Sequence, residues 1–199
     1  NISLRADRNW RDLDIDLNLD ELTLSPVVQR VMTAGGELGS ISGDLNVSFR
    51  QGQLFRTKGF IKVRKYVGDG VLAQNLKFKI DTRDSFVNLD SNVSEVTVDP
   101  NSKAGGVIRS FIEDWMLIGG NLVLKSVVAK IRTQQLQTLE WTSLQSQVGL
   151  RGWLQSQGGW DENGFLKGQI AVSNKGRDKE KKWSIQGDRN KPRFSPIEL

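Results

Sequence analysis

Between Asp12 and Asp20 the chain alternates without exception: Leu13, Ile15, Leu17 and Leu19 are interleaved with Asp12, Asp14, Asp16, Asn18 and Asp20. A period of two puts every leucine or isoleucine on one face of an extended strand and every carboxylate on the other. A helix would scatter the same residues around its circumference. The strand is therefore half-buried, with one face on a core and one in water. Leu22 and Leu24 continue in the opposite parity, which predicts a bend or bulge near Glu21.

The same texture recurs along the chain. Ile41, Leu45, Val47 and Phe49 alternate, Leu54 to Val63 carries a further strand, and Leu76, Phe78 and Ile80 alternate with Lys77 and Lys79. Gln51-Gly52, Gly68-Asp69-Gly70 and Arg83-Asp84-Ser85 punctuate these runs as turns, and Phe86 to Val98 closes the set. Short strands joined by Gly/Asp turns predict an antiparallel meander. Sheet resumes with Leu122 to Ile131, Leu136 to Trp141, Val148 to Leu154 and Phe165 to Val172, the last two joined by the turn Asp161-Glu162-Asn163-Gly164.

Two segments break the alternation. Ser25-Pro26 is a suitable helix start, Val27, Val28, Val31 and Met32 form one apolar face, and Gly35-Gly36 stop it. Val107, Ile108, Phe111, Ile112 and Trp115 share a second helical face that ends at Gly119-Gly120. The fold class that follows is mainly β: a long, curved antiparallel sheet, open or an incomplete barrel, with two short capping helices. Residues 1–174 form one β-rich domain. Leu45, Val47, Phe49, Leu76, Phe78 and Ile80 mark its candidate apolar face. Trp115, Trp141, Trp153 and Trp160 belong to the core on this reading.

Composition narrows the chemistry. The 199 residues are 37% hydrophobic and 26% charged, which suits a packed chain rather than a disordered one. There is no Cys and no His, which excludes disulfides, thiolate or imidazole zinc and haem sites, a Cys nucleophile and a Ser-His-Asp triad. Glu113, Asp114 and Glu140 are the acids nearest apolar sequence, but adjacent residues on a helix point to different faces and form no catalytic pair. The strand carboxylates repeat about every 7 Å, yet a calcium loop requires a turn with glycine, so they read as a solvated face. Gly35-Gly36-Glu37-Leu38-Gly39 and Gly68-Asp69-Gly70 lack the Lys-Ser/Thr of a phosphate loop and read as turns. No catalytic residue, metal ligand or cofactor site is expected.

Charge is polarised. The first 24 residues hold three arginines and six acids, whereas Lys175 to Arg193 holds eight basic residues and three acids, a local +5 equal to that of the whole chain. Pro192 and Pro196 make residues 175–199 a basic, partly extended tail that contributes little to folding, with Trp183 able to pin residues 182–186 as a final edge strand. Lys179, Lys181, Lys182, Arg189, Lys191 and Arg193 are its candidate contacts with anionic surfaces. Only Trp183 and Phe194 interleave them, too few aromatics for a nucleic-acid stacking surface, so no nucleic-acid partner is expected. No apolar run approaches the length of a bilayer span. The chain starts in mid-pattern without Met, as an excised portion of a longer protein would.

The run Trp115-Met116-Leu117-Ile118-Gly119-Gly120-Asn121-Leu122, with Leu139-Glu140-Trp141, Leu150-Arg151-Gly152-Trp153-Leu154 and Leu166-Lys167-Gly168-Gln169-Ile170 after the Asp161–Gly164 turn, resembles alphaproteobacterial envelope proteins of unknown function. Leu13-Asp14-Ile15-Asp16-Leu17 and Gly43-Asp44-Leu45-Asn46-Val47 leading to Gly52 and Leu54 resemble the wider AsmA-like group, which includes the secretion-pathway N proteins. The resemblance covers most of residues 10–172. It implies a non-enzymatic periplasmic protein tethered to the inner membrane by an upstream anchor, with an apolar concave face that binds or guides phospholipid. The alternative it implies is an assembly component of an envelope or secretion machine that docks protein partners through sheet edges. The oligomeric state is not legible in the sequence.

Overall fold

The computed structural model describes residues 1–7, 11–23, 36–83, 86–134, 137–174, 177–189 and 191–197, with the backbone alone at 83 and 177–179. The described residues form one antiparallel sheet of fourteen strands that does not close into a barrel. In chain order they are β1 (Ile2–Ala6), β2 (Leu13–Leu22), β3 (Glu37–Leu38), β4 (Ile41–Arg50), β5 (Gln53–Gly68), β6 (Val71–Arg83), β7 (Phe86–Val98), β8 (Leu117–Ile118), β9 (Asn121–Gln134), β10 (Thr138–Val148), β11 (Gly152–Trp160), β12 (Phe165–Asn174), β13 (Arg177–Asp188) and β14 (Lys191–Ile197). Neighbours in sequence are neighbours in the sheet, except that β3 pairs beside β4 on β5 and β8 folds onto β9. Turns fall where Gln51-Gly52 and Asp69-Gly70 provide positive φ. The first expected helix, 27–36, lies almost wholly outside the described residues.

The second helical segment is shorter and earlier than its periodicity suggests. Helix α1 spans Lys103–Ile108, followed by two 3-10 turns, Arg109–Phe111 and Asp114–Met116. Ser102 caps α1, its Oγ accepting from the Gly105 N–H at 3.0 Å. Each piece delivers an anchor to the sheet, Ile108 and then the buried Phe111 and Met116. This segment leaves β7 yet touches β14, and Phe111 packs against Trp183 at 6.1 Å and Phe194 at 5.3 Å between ring centroids. Six strand spacings separate β7 from β14 along the sheet, about 29 Å if it were flat. The C-terminal half therefore curls around the segment.

Two expectations need correction. Residues 148–154 are not one strand: Gly149-Leu150-Arg151 is a turn, with Gly149 at φ +57, that separates β10 from β11. The basic tail expected over 175–199 is, in its described residues 177–189 and 191–197, not loose, and a boundary after 174 cuts through the sheet. β13 and β14 pair over their length with β12 and with each other, and Trp183 and Ile185 are buried in the main core. The reason is a period-two pattern masked by charge: Trp183 and Ile185 face inward while Lys182, Ser184 and Gln186 face out. Trp153 is likewise outside the core, half exposed. The bulge expected near Glu21 is present: Glu21 has φ +45, and the pairing of β2 with β4 shifts between Leu19 and Leu22.

A crease crosses four neighbouring strands. In β5, β6, β7 and β9 the alternation skips a step, leaving two polar residues between inward-facing ones: Val63 and Tyr66, Ala73 and Leu76, Val93 and Val96, Leu124 and Val127. The register aligns them, Val63 with Leu76, Val93 and Val127 in one row, and Tyr66 with Ala73, Val96 and Leu124 in the next. Asn75 and Ser126 take left-handed φ of +50 and +51 to make the step. The crease continues through Gly39 and Ser40, whose N–H and C=O bond Lys65 O and Arg64 N at 2.7 and 3.0 Å.

Candidate functional site

The sheet has one apolar face, and the pairing shows how it is built. A single row crosses the first eight strands of the main path as Ile2, Leu17, Leu45, Gly59, Ile80, Leu89, Ile131 and Trp141. It continues through Gly158, Gly168, Ile185 and Phe194 to the far edge. Every side chain in it is apolar or hydrogen, because each strand places its alternate residues in phase with its neighbour.

The six candidate apolar residues all lie on this face. Leu45 and Ile80 are in the row itself, on either side of Gly59. Phe78 lies opposite Ile61, and Leu76 opposite Val63 and Val93, in the next two rows. Val47 pairs with Ile15, and Phe49 with Leu13. All six are half-buried.

The two halves of the face differ. In the C-terminal half, Leu154, Leu166, Ile170, Val172, Trp183 and Ile185 are buried together with Phe111 and Met116 of the covering segment. In the N-terminal half the matching positions keep part of their surface in solvent, and at the β1 edge Ile2 and Leu4 are 71% and 61% exposed. Gly59 notches this half: its φ is +153, and a Cβ there would stand 2.0 Å from Asp44 O.

The candidate anionic-surface contacts are not brought together. Lys181 faces the apolar side and pairs with Glu113, and Lys182 pairs with Glu180 at 3.0 Å. Lys191 stands opposite Asp188 across the β13–β14 turn. Arg189 and Arg193 are exposed, and the Lys179 side chain lies outside the described residues. Glu113 also accepts from Trp115 Nε1 at 2.7 Å, so it fastens the covering segment to β13. Glu140 sits on the opposite, polar face beside Arg132 and Gly159.

The acidic face of β2 is laced to its neighbours. Asp14 pairs with Arg50 at 3.1 Å, Asp16 accepts from Asn46 Nδ2 at 2.8 Å, and Asp12 accepts the Gln51 N–H at 3.1 Å. The Ser48 hydroxyl and then Arg50 hold the Asp14 carboxyl below the ordinary aspartate range. Among the described residues no three acids converge as a metal site, and no helix is long and apolar enough to cross a membrane. Comparison with protein-family models, with curated proteins and with solved structures returned no match.

The sequence reading placed its apolar candidates on β4 and β6 and did not foresee the crease. Its signal was available as four apolar–polar–polar–apolar steps: Val63-Arg64-Lys65-Tyr66, Ala73-Gln74-Asn75-Leu76, Val93-Ser94-Glu95-Val96 and Leu124-Lys125-Ser126-Val127.

Proposed function

We propose that this chain is a non-enzymatic binding module of the bacterial cell envelope, resident in the periplasm, that takes the acyl portion of a phospholipid on the apolar face of β1 to β7. One observation carries the reading: the same continuous apolar row is buried at β13 under the 103–118 segment but only half-buried along β2 to β7. Exposed apolar surface costs about 25 cal/mol per Å², and a contiguous stripe of it is characteristic of a surface that something covers. An acyl chain satisfies such a stripe because it needs no hydrogen-bonding partners. The AsmA-like resemblance points the same way and adds an inner-membrane tether upstream of Asn1.

The test is displacement of a fluorescent fatty acid by unlabelled phospholipid. The intact chain is expected to bind the probe saturably, and Leu45→Asp and Phe78→Asp to abolish binding while preserving the β-sheet circular dichroism. Saturation unchanged in both variants would remove the reading.

A second reading has its own observation. β14 carries Pro192 and Pro196, which lack N–H groups and blunt that edge, whereas β1 carries none. Asn1 and Asn18 exchange both backbone bonds at 2.9 Å, so alternation turns the N–H and C=O of Ile2, Leu4 and Ala6 toward the open side. This supports docking of a partner strand at β1 in an envelope assembly. Leu4→Pro is expected to abolish capture of that partner without changing lipid binding; loss of lipid binding alone would reject the edge.

A further inference from the structure

The polar face carries a second feature, independent of the lipid reading because it lies on the other side of the sheet. Over most of this face charges alternate across strands. Asp44, Phe60, Lys79, Asp90 and Lys130 form one such row, and Lys58 stands opposite Asp81 in another. The row Ser42, Lys62, Lys77, Asn92 breaks the rule: two lysines stand directly opposite each other with no acid beside them. Like charges in that position destabilise a sheet. The Phe60 ring draws in both, with Lys62 Nζ at 5.3 Å and Lys77 Nζ at 5.4 Å from its centroid. Among the described residues, Lys62, Arg64 and Lys77 form no ion pair.

The crease turns this charge into a site. Where the strands bend, a groove opens that is lined by Lys62, Arg64 and Lys77 together with Ser40, Ser42, Asn75 and one carboxylate, Glu21, with Val63 and Leu76 as its apolar members. Three cations against one acid leave a net charge of +2, and two hydroxyls and an amide add neutral donors. That complement matches a phosphate group: dianionic, tetrahedral and able to accept several bonds at once, with the guanidinium fork of Arg64 suited to two of its oxygens. The in-out-out-in step sets Arg64 and Asn75 next to the Lys62–Lys77 row, so that all four line one groove. We infer that the groove beside the crease, lined by β4, β5 and β6, is a phosphate-binding site on the polar face, its ligand either a free phosphate compound or a phospholipid headgroup.

The experiment uses the full chain and two probes: inorganic phosphate, followed by ¹⁵N chemical shifts, and vesicles containing about 30% phosphatidylglycerol, pelleted at roughly 0.05 M and 0.3 M salt. The groove variant is Lys62→Gln with Lys77→Gln, with Arg64→Gln as a second. The control is Lys65→Gln with Lys125→Gln, which removes the same charge outside the groove. Binding of at least one probe is expected to weaken about tenfold in the groove variants and to stay within about twofold in the control. Dependence on the groove for free phosphate, with or without vesicles, assigns the ligand to phosphate itself. Dependence for vesicles alone assigns it to a headgroup. The inference is overturned if the intact chain binds neither probe, or if groove and control variants weaken equally, since charge alone would then account for binding.

Discussion

Gly59 is the fourth of the twelve positions in the apolar row, and no side chain fits there. Its φ of +153 is open to glycine, and a Cβ would press on Asp44 O at 2.0 Å. Gly59→Ala is expected to destabilise the fold by about 1–3 kcal/mol, read as a lower midpoint in urea unfolding at constant slope. Asp14 shows how one acidic face is tied down. Its folded pKa lies below the unfolded reference of 3.8, with the Ser48 hydroxyl as the main cause and Arg50 next. The stabilisation is thus fully present above that reference and is lost as pH falls through the lower folded value. Asp14→Asn is expected to flatten the loss of stability below about pH 4, and an unchanged acid limb in the variant would reject the assignment. Lys62→Gln removes the like-charge opposition with Lys77 and is expected to raise stability by a few tenths of a kcal/mol in thermal unfolding.

At the scale of elements, β13 decides how the C-terminal sequence behaves. Trp183 is 7% exposed and stacks beside Phe111, so Trp183→Ala is expected to cost about 3–5 kcal/mol, and truncation after Asn174 to yield an aggregating chain with β12 as a raw edge. A truncated chain that melts like the intact one would contradict this. The strands β2, β4, β6 and β7 were legible in the sequence because each alternates over a long enough stretch, Leu13 to Leu19, Leu45 to Phe49, Leu76 to Ile80 and Val87 to Val93, and their turns carry Gly or Asp. β13 was obscured by Lys179, Lys181 and Lys182, whose charge outweighs two inward apolar residues in any composition window. The helical face of 107–115 was read from true anchors, but periodicity cannot see that Gly105 and Gly106 sit inside the short helix, or that Phe111 and Met116 reach the core through separate 3-10 turns. The residues of the apolar face could be named from the sequence because they obey the period of two; the groove could not, because it lies where β5 and β6 break that period in register.

At the scale of the molecule, one sheet solves the burial problem in two ways. Its C-terminal half curls around residues 103–118 and fills itself, and its N-terminal half carries the same row onward with half-buried side chains to β1, whose outer edge pairs with no other strand among the described residues. The polar face bends at the crease and gathers positive charge there. The proposed lipid and phosphate sites are separable by substitution, since Leu45 and Phe78 lie outside the groove and Lys62 and Lys77 lie off the apolar face, although Val63 and Leu76 touch both. Native mass spectrometry after incubation with phospholipid vesicles tests the central claim most directly. The expected result is a phospholipid adduct on the intact chain that persists in Lys62→Gln with Lys77→Gln and disappears in Leu45→Asp with Phe78→Asp; an intact chain that carries no adduct, or adducts equally abundant in all three proteins, would contradict it.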